Sequence, residues 1–517
     1  MRSTFLGFEV SKRTIQISQK ALDISLNNLG NINTEGYTRQ RVDLNSSYLG
    51  VTGKYATRLS KLSISGQGVN AFGVSQIRDT YVDKRYREFT AYVAECDTKL
   101  EVLSDTERIL DDIGNVGLLA NLDALKSSFA KYATDSPFSK ELASVVRNEA
   151  STVCQTLRAY YTDLEALRNE NVVELQNAVS DINALIDKIT TYNAIITGEY
   201  NITAADKIYY GESVIGSYGP NELIDQRNMF LDELSGYGNI KVYDNNDGSV
   251  RVLMGGVTII NGTKNEHVVM KDYEKYKSAV LVFSNGQSVD CDSGELKARV
   301  DMLNGNGPYA SFYQNSEYGI PYYESTLNAF AQEFAELMNT LNGCTAEDTS
   351  RAMFGTDEDI YENGVCISRG IVSARNIRIS EEWMANATMI GENYNEETGM
   401  WELTLDGTNV NKLYLGLDDE ITIGRAGEFK GSIYDYCLFV DNRLSENIKY
   451  YENQYTLNAQ NASALLDLRE SVSGVSETEE GVNMMTYQKW FNANSRMLTT
   501  MDECLDRLIT STGVVGR

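Results

Sequence analysis

Asp357 with Asp359, and the adjacent Asp418 and Asp419, are carboxylate pairs that could divide into a general acid and a general base. Among 73 acidic residues such pairs arise by chance and usually sit as solvated loop charges, so no catalytic residue is expected from them. The single histidine, His267, lies in the β-like run Glu266–Met270 and has no second histidine to work with, which leaves it a surface or packing role. Seven cysteines, at 96, 154, 291, 344, 366, 437 and 504, are odd in number, scattered and free of any C-x-x-C pair. Neither a disulfide framework nor a zinc site follows from them, and their partly apolar settings point to small buried hydrophobes. Asp244 to Gly248 imitates a calcium loop, but counted from Asp244 the glycine falls fifth, where an EF-hand needs it sixth. A hairpin turn explains Asp247-Gly248 better, and neither metal nor cofactor is expected.

The chain must therefore be read through its elements. Its 517 residues fill three to four domains at ~150 residues each. The net charge of −27 repels phosphate backbones and anionic lipid, which disfavours nucleic-acid and membrane-surface roles. Apolar runs such as Ala279–Phe283 fall far short of the ~18 residues of a membrane span, so no membrane insertion is expected. Glu9, Lys12 and Arg13 interrupt the N-terminal apolar residues before a cleavable secretory signal could form. Only 4 prolines occur, which favours long unbroken helices.

One such helix is predicted between Val74 and Ile113, ending near Gly114 and Gly117. A second starts at Ser136-Pro137, with Ser as cap and Pro at the first helical position, and runs to Thr197. Along it a 4-3 series from Leu157 to Ile196 is apolar except at Arg168 and Asn171, a heptad seam, and the helix as a whole would be roughly 90 Å long, which implies an elongated molecule. Past Gly198 the texture becomes β-like, with a hairpin over Ile240–Met254. A helix follows at Tyr322–Leu341, then an acidic, β-leaning section with a strand near Trp401–Leu405, and helical pattern returns at about Leu444. The expected fold is α+β, elongated and multidomain. It comprises a terminal helical domain (1–75 with 476–517), a long helical domain with the hairpin (76–343), a β-rich inserted outer module (344–440) and a return helix (441–475).

The two ends belong together. Phe8, Ile15, Leu22 and Leu29 form one heptad line, and Val10, Ile17 and Ile24 lie nearly opposite, so the first helix wants apolar neighbours on two sides. At the other end Ser476-Glu-Thr-Glu479 has capping-box spacing and starts a helix near Glu477. Met484, Phe491, Leu498 and Leu505 make one line there, Tyr487, Asn494, Met501 and Leu508 the next, with Trp490, Met497 and Cys504 alongside. Phe8, Ile15, Leu22, Leu29, Met484, Phe491, Leu498, Met501, Leu505 and Leu508 are accordingly the candidates for packing between subunits. Head-to-tail contacts that do not close give filaments, and seams completed only in a polymer couple folding of the ends to assembly.

The run Ala21–Gln40, with Asn28, Asn31, Asn33, Thr34, Gly36 and Tyr37, resembles the N-terminal motif ALxxxxxNxANxxTPGY of bacterial flagellar axial proteins. Glu35 replaces the family proline and Leu29-Gly30 replaces Ile-Ala, while Arg39-Gln40 resembles the variant of the hook-associated members at the hook-filament junction. Asn221–Leu234 is similar to the block NDLLDQRDxLLDEL with its following hairpin, Ser473–Glu480 to SGVxxxEE, and Tyr487, Gln488, Ala493 and Asn494 to YQxxYxAxAR. The resemblance fades between about 344 and 440. It implies a non-enzymatic adaptor polymerised as a helical ring between hook and filament, outside the cell and exported by the flagellar type III route without a cleaved signal. The partners it implies are hook protein, a second hook-associated junction protein, and a cytoplasmic export chaperone at the C-terminal helix. Hook protein or the second junction protein is the alternative within the family; a cytosolic coiled-coil scaffold is the alternative outside it.

Overall fold

The computed structural model describes residues 4–46, 68–110, 117–135, 139–209, 220–311 apart from 272 and 277, and 314–512 apart from 346–347, 363–364, 404–406 and 425–427. The fold is mixed α+β, dominated by long helices with small antiparallel sheets. Two compact units divide it: residues 1–90, 183–267 and 459–517 form the first, and 91–182 with 268–458 the second.

In the first unit, α1 (Thr4–Gly30) pairs with the last helix, α9 (Glu477–Thr512). The two run antiparallel: a Cβ at Gly7 would overlap Met501, while just past the far end of α1 the Arg39 N–H donates to Ser473 O, before α9 begins. β1 (Gln40–Ser46) and β2 (Val69–Gln76) form an antiparallel ladder beside α1, where Gly68 brings the backbone against Val10. Helix α5 (Asn221–Tyr237) leads into a four-stranded meander, β3 (Ile240–Asp244), β4 (Val250–Met254), β5 (Val257–Asn261) and β6 (Lys264–Asn265). The predicted hairpin is β3–β4. Gly248 has φ +79°, and Asp247 Oδ1 accepts from Ser249 N–H at 3.0 Å, so the aspartate shapes a turn.

Helix α4 (Lys140–Tyr209) is 70 residues long, about 105 Å at the α-helical rise. Ser136 and Pro137, the predicted start, lie outside the described residues; Ser139 Oγ accepts from Leu142 N–H at 3.2 Å and supplies the cap. The helix also continues past Gly198, because a single glycine costs only ~1 kcal/mol within so long a run. Its seam residues Leu157, Leu164, Leu175, Ile182, Ile189 and Ile196 are fully buried.

The second unit holds most of α2 (Thr80–Leu110), α3 (Leu118–Asp135), the first part of α4, α6 (Glu295–Asn304), α7 (Ile320–Leu341) and much of α8 (Ile433–Ser473). Residues 111–116, where the first long helix was expected to end, lie outside the described ones. Its core stacks Phe330, Phe334, Phe354 and Trp383 at centroid spacings of 6.0, 4.9 and 6.0 Å. Trp383, Val410 and Leu413, from the β-leaning section, belong to the same apolar cluster as Leu125 and Phe129 of α3. That section is built of two-stranded pieces and short helices rather than one sheet. Helix α8 begins at Ile433, eleven residues before Leu444, because Ser432 caps it through Asp435 N–H at 3.2 Å. Five of the seven thiols are buried and Cys504 is exposed; burial pushes Cys154 and Cys291 up to about 12.

The seam's polar interruption has its own partner: Arg168 Nη1 meets the buried Glu324 Oε2 at 2.7 Å. Burial outweighs the guanidinium and pushes the Glu324 carboxyl up to about 7. A raised carboxyl contributes stability that is complete below its ordinary value near 4.5 and is lost as pH rises through 7. Glu324→Gln is therefore expected to stabilise the protein at pH 8 by up to about 3 kcal/mol and to flatten its Tm between pH 5 and 8. Thermal melts showing the same pH slope in both proteins would refute this.

Candidate functional site

The motif segments converge in the first unit as a clasp of side-chain hydrogen bonds. Asn28, at the end of α1, is 1% exposed and fully used. Its Nδ2 donates to Gln40 O at 2.8 Å, and its Oδ1 accepts from Gln40 N–H at 3.0 Å and Tyr37 O–H at 2.8 Å. Asn31 Nδ2 reaches back to Asn27 O, and Thr34 Oγ1 donates to Asn31 Oδ1 at 3.1 Å. Gly36 has φ +75°, which favours glycine, and a Cβ there would also displace the side chain of Met229. The tight turn thus survives the exchange of proline for Glu35.

The next two residues carry the turn outward. Thr38 donates through N–H and Oγ1 to Asp225 of α5 at 3.1 and 2.6 Å, and Gln76 Nε2 donates to the same carboxylate at 2.8 Å. Burial raises the Asp225 carboxyl even against these donors, and burial with the nearby Glu222, Asp225 and Glu480 lifts the Tyr37 hydroxyl to about 12. Arg39 faces the other way. Its Nε meets Glu480 Oε1 at 2.7 Å and its Nη1 meets Glu479 Oε2 at 2.6 Å, with Glu480 only 2% exposed. Ser476 Oγ accepts from Glu479 N–H at 3.4 Å, so the expected cap forms while the Glu479 carboxylate goes to Arg39.

A second layer ties in α2, α5 and α8. Asp232 accepts from Arg87 at 2.6 Å and Arg469 at 2.7 Å; Arg469 also reaches Asp83 at 3.1 Å, which Arg78 holds at 2.9 Å. Arg227 of the same α5 block donates to Asn193 Oδ1 at 3.1 Å and Gly248 O at 2.7 Å. Asn193 Nδ2 in turn donates to Gly262 O at 2.9 Å, pinning the meander to α4. None of these pairings was legible beforehand: Asp225, Arg227 and Asp232 lie in a quoted motif, but Thr38, Gln76, Arg87 and Arg469 carry no local signal for their partners.

Of the motif residues, Asn28, Asn31, Thr34, Gly36, Tyr37, Arg39 and Gln40 meet here, and Asn33 lines the groove beside them. Gln488, Ala493 and Asn494 lie along α9 outside the clasp; Tyr487 packs edge-on against Trp490 at 5.5 Å. Among the packing candidates, Phe8, Ile15, Leu22, Leu29, Met484, Phe491, Leu498, Met501 and Leu505 are half-buried and Leu508 is exposed. The fully buried line on the Gly7 face of α1 is instead small and polar: Ser11, Ser18, Ala21, Ser25 and Asn28. Asp359 is consumed by Thr356, Gly370 N–H and Arg369, Asp418 pairs with Lys126, and His267 Nε2 faces Asp187 at the surface. Among the described residues no acid, thiol and imidazole cluster could hold a metal, and no helix is long and apolar enough to cross a membrane.

Residues 470–511 match the family model of the flagellar basal body rod FlgEFG protein C-terminal, which identifies a flagellar axial protein, and 103–354 match that of the flagellar hook-associated protein FlgK helical domain. Flagellar hook-associated protein 1 of Bacillus subtilis (strain 168) is 27% identical, with all of both chains covered. Those of Salmonella typhimurium (strain LT2) and Escherichia coli (strain K12) are 20% and 21% identical over 96% of this chain, covering 98% and 97% of theirs. The structure of the flagellar hook junction protein FlgK from Burkholderia pseudomallei shares the fold at TM-score 0.54 and 10% identity, covering 75% of this chain and 100% of that one. Over its whole length the chain is similar to flagellar hook-associated protein 1, and the FlgK helical-domain model matches within it.

Removing Arg39 strands the buried Glu480 without its cation. Arg39→Ala is expected to cost about 3 kcal/mol and to speed hydrogen exchange over 477–484 selectively. Unchanged protection there would show that the clasp does not hold the start of α9.

Proposed function

We propose that this chain is a structural adaptor subunit of the bacterial flagellum, polymerising between hook and filament as the hook-filament junction. The observation that carries this is the clasp. It joins the two chain ends, through Arg39 and Glu480, to the α5 block through Thr38 and Asp225. A tube subunit between a flexible hook and a stiff filament needs such a joint, because load passes from terminal helices to outer mass through it.

In the assembly, 1–75 and 476–517 form the inner tube, 76–343 with 441–475 the next shell, and 344–440 the outward-facing module. The half-buried lines Phe8, Ile15, Leu22, Leu29 on α1 and Met484, Phe491, Leu498, Met501, Leu505 on α9, with the exposed Leu508, are completed by neighbouring subunits. Hook protein lies below and the second hook-associated junction protein above. Before type III export, without a cleaved signal, a cytoplasmic chaperone covers the apolar stripe of α9. The role is mechanical and no reaction is assigned to it.

Deleting the gene should leave hooks without filaments, with flagellin shed into the medium as monomer. Loss of hooks as well would move the chain to a rod or hook role, and motile filaments would refute the proposal. Leu498→Asp or Leu505→Asp should leave the second unit folded, by circular dichroism and protease resistance, yet abolish incorporation; normal motility of these variants would count against the packing lines.

A further inference from the structure

Beside the clasp the first unit carries a groove of about 1030 Å³ between the Asn31–Arg39 turn, α5 and the end of α8. Its apolar side chains include Ile32, Met229, Phe230, Leu466 and Val475. The acids Asp232 and Glu479 in it are taken by Arg469 and Arg39. Glu35, Glu233 and Glu470 are exposed and pair with no cation among the described residues, so the groove combines an apolar patch with polar lining and unpaired negative charge.

The same unit presents the complementary surface. Residues 481–501 of α9 carry Lys489 and Arg496 and no acid, in a chain of net charge −27. Trp490 and Met497 stand beside these cations, 43% and 50% exposed. Each pair repeats after seven residues, giving a basic line and an apolar line about 100° apart around the exposed side of the helix, with the two members of each line about 10 Å apart. This face cannot reach the groove of its own chain. Glu479 already lines that groove, and Trp490 lies eleven residues, roughly 16 Å, farther along a continuous helix.

We propose that the groove of one copy receives the Lys489–Met497 face of α9 from a second copy, with Trp490 and Met497 against Met229, Phe230 and Leu466, and Lys489 and Arg496 against Glu35, Glu233 and Glu470. The contact joins two different surfaces and therefore propagates rather than closing as a pair. It deepens the assembly reading above, on which it rests, by naming the surfaces that meet.

The test uses the full chain assembled on cells. A photo-cross-linking amino acid at position 497, in cells co-expressing two differently tagged copies, should give an inter-copy adduct that mass spectrometry maps to Met229–Glu233 or Leu466–Glu470. Adducts confined to other segments would overturn the contact. Glu233→Lys with Glu470→Lys should lower incorporation about tenfold or more, and adding Lys489→Glu with Arg496→Glu in the same chain should restore it. Failure of that restoration would also overturn it, and the cross-link, made with the groove unaltered, decides the matter if the reversed groove fails to fold. Deletion cells that lack filaments while adducts map elsewhere would sink this contact alone; motile deletion cells would sink the assembly reading itself.

Discussion

The contact between Arg39 and Glu480 bridges 441 positions of sequence, and the arrangement of the first unit depends on it. The N-terminal turn and the start of the C-terminal helix cannot be neighbours by local propensity; they are neighbours because one guanidinium must satisfy two carboxylates, one of them nearly sealed from water. Losing either partner would leave a desolvated charge, whose cost exceeds what a surface ion pair contributes. The pair therefore acts as a constraint on register: α1 can lie against α9 only at the offset that brings Arg39 to Glu480, and Gly7 to Met501 is the same offset read at the far end.

Around that pair the protein uses hydrogen bonds where an apolar contact would have been simpler. Asn28, Asp225 and Asn193 each spend their side chains on several backbone or side-chain partners at once. Apolar packing tolerates sliding by a fraction of a residue, since burial depends on area rather than direction. A carboxylate that accepts from Thr38 N–H, Thr38 Oγ1 and Gln76 does not. A joint between a helical pair and a long bundle helix gains a defined angle from such directional groups, and the small line Ser11, Ser18, Ala21 and Ser25 lets α1 come close without prescribing one.

What could be read from the sequence follows the range of the interaction. Helix periodicity and turn glycines are local, so α7, the start of α9 and the β3–β4 hairpin were legible to within a few residues and α2 and α4 as long helices, although α4 runs twelve residues past its expected end and Val74–Gln76, expected as helix, is strand; Gly36 and Gly248 adopt the positive φ that their motifs require. Boundaries failed where a cap lay beside a stronger-looking one, as with Ser139 next to Ser136-Pro137, and where α8 starts from Ser432 inside a stretch without obvious period. The apolar lines on α1 were visible but, Ile17 apart, only half-buried, while the sealed face beside Gly7 proved to be mostly serine and alanine, which periodicity of hydrophobicity cannot find. The ion-pair layer of Arg78, Asp83, Arg87, Asp232 and Arg469 was illegible because charge carries no address: each partner was one of many acids or bases.

Charge distribution adds what pairings do not. A chain of net −27 repels its own copies at long range. Residues 10–22 hold Lys12, Arg13 and Lys20 without an acid, and 481–501 hold Lys489 and Arg496 without one. Because α1 and α9 are antiparallel with Gly7 beside Met501, these two stretches lie side by side, and the helical pair carries a basic belt in an otherwise acidic protein. Screening over ~8 Å at physiological salt confines the effect of that belt to short range. Repulsion between whole molecules is thereby separated from attraction between particular faces, and a copy that approaches in the wrong orientation meets acid against acid. The belt makes orientation, and not affinity alone, the quantity selected when two copies meet.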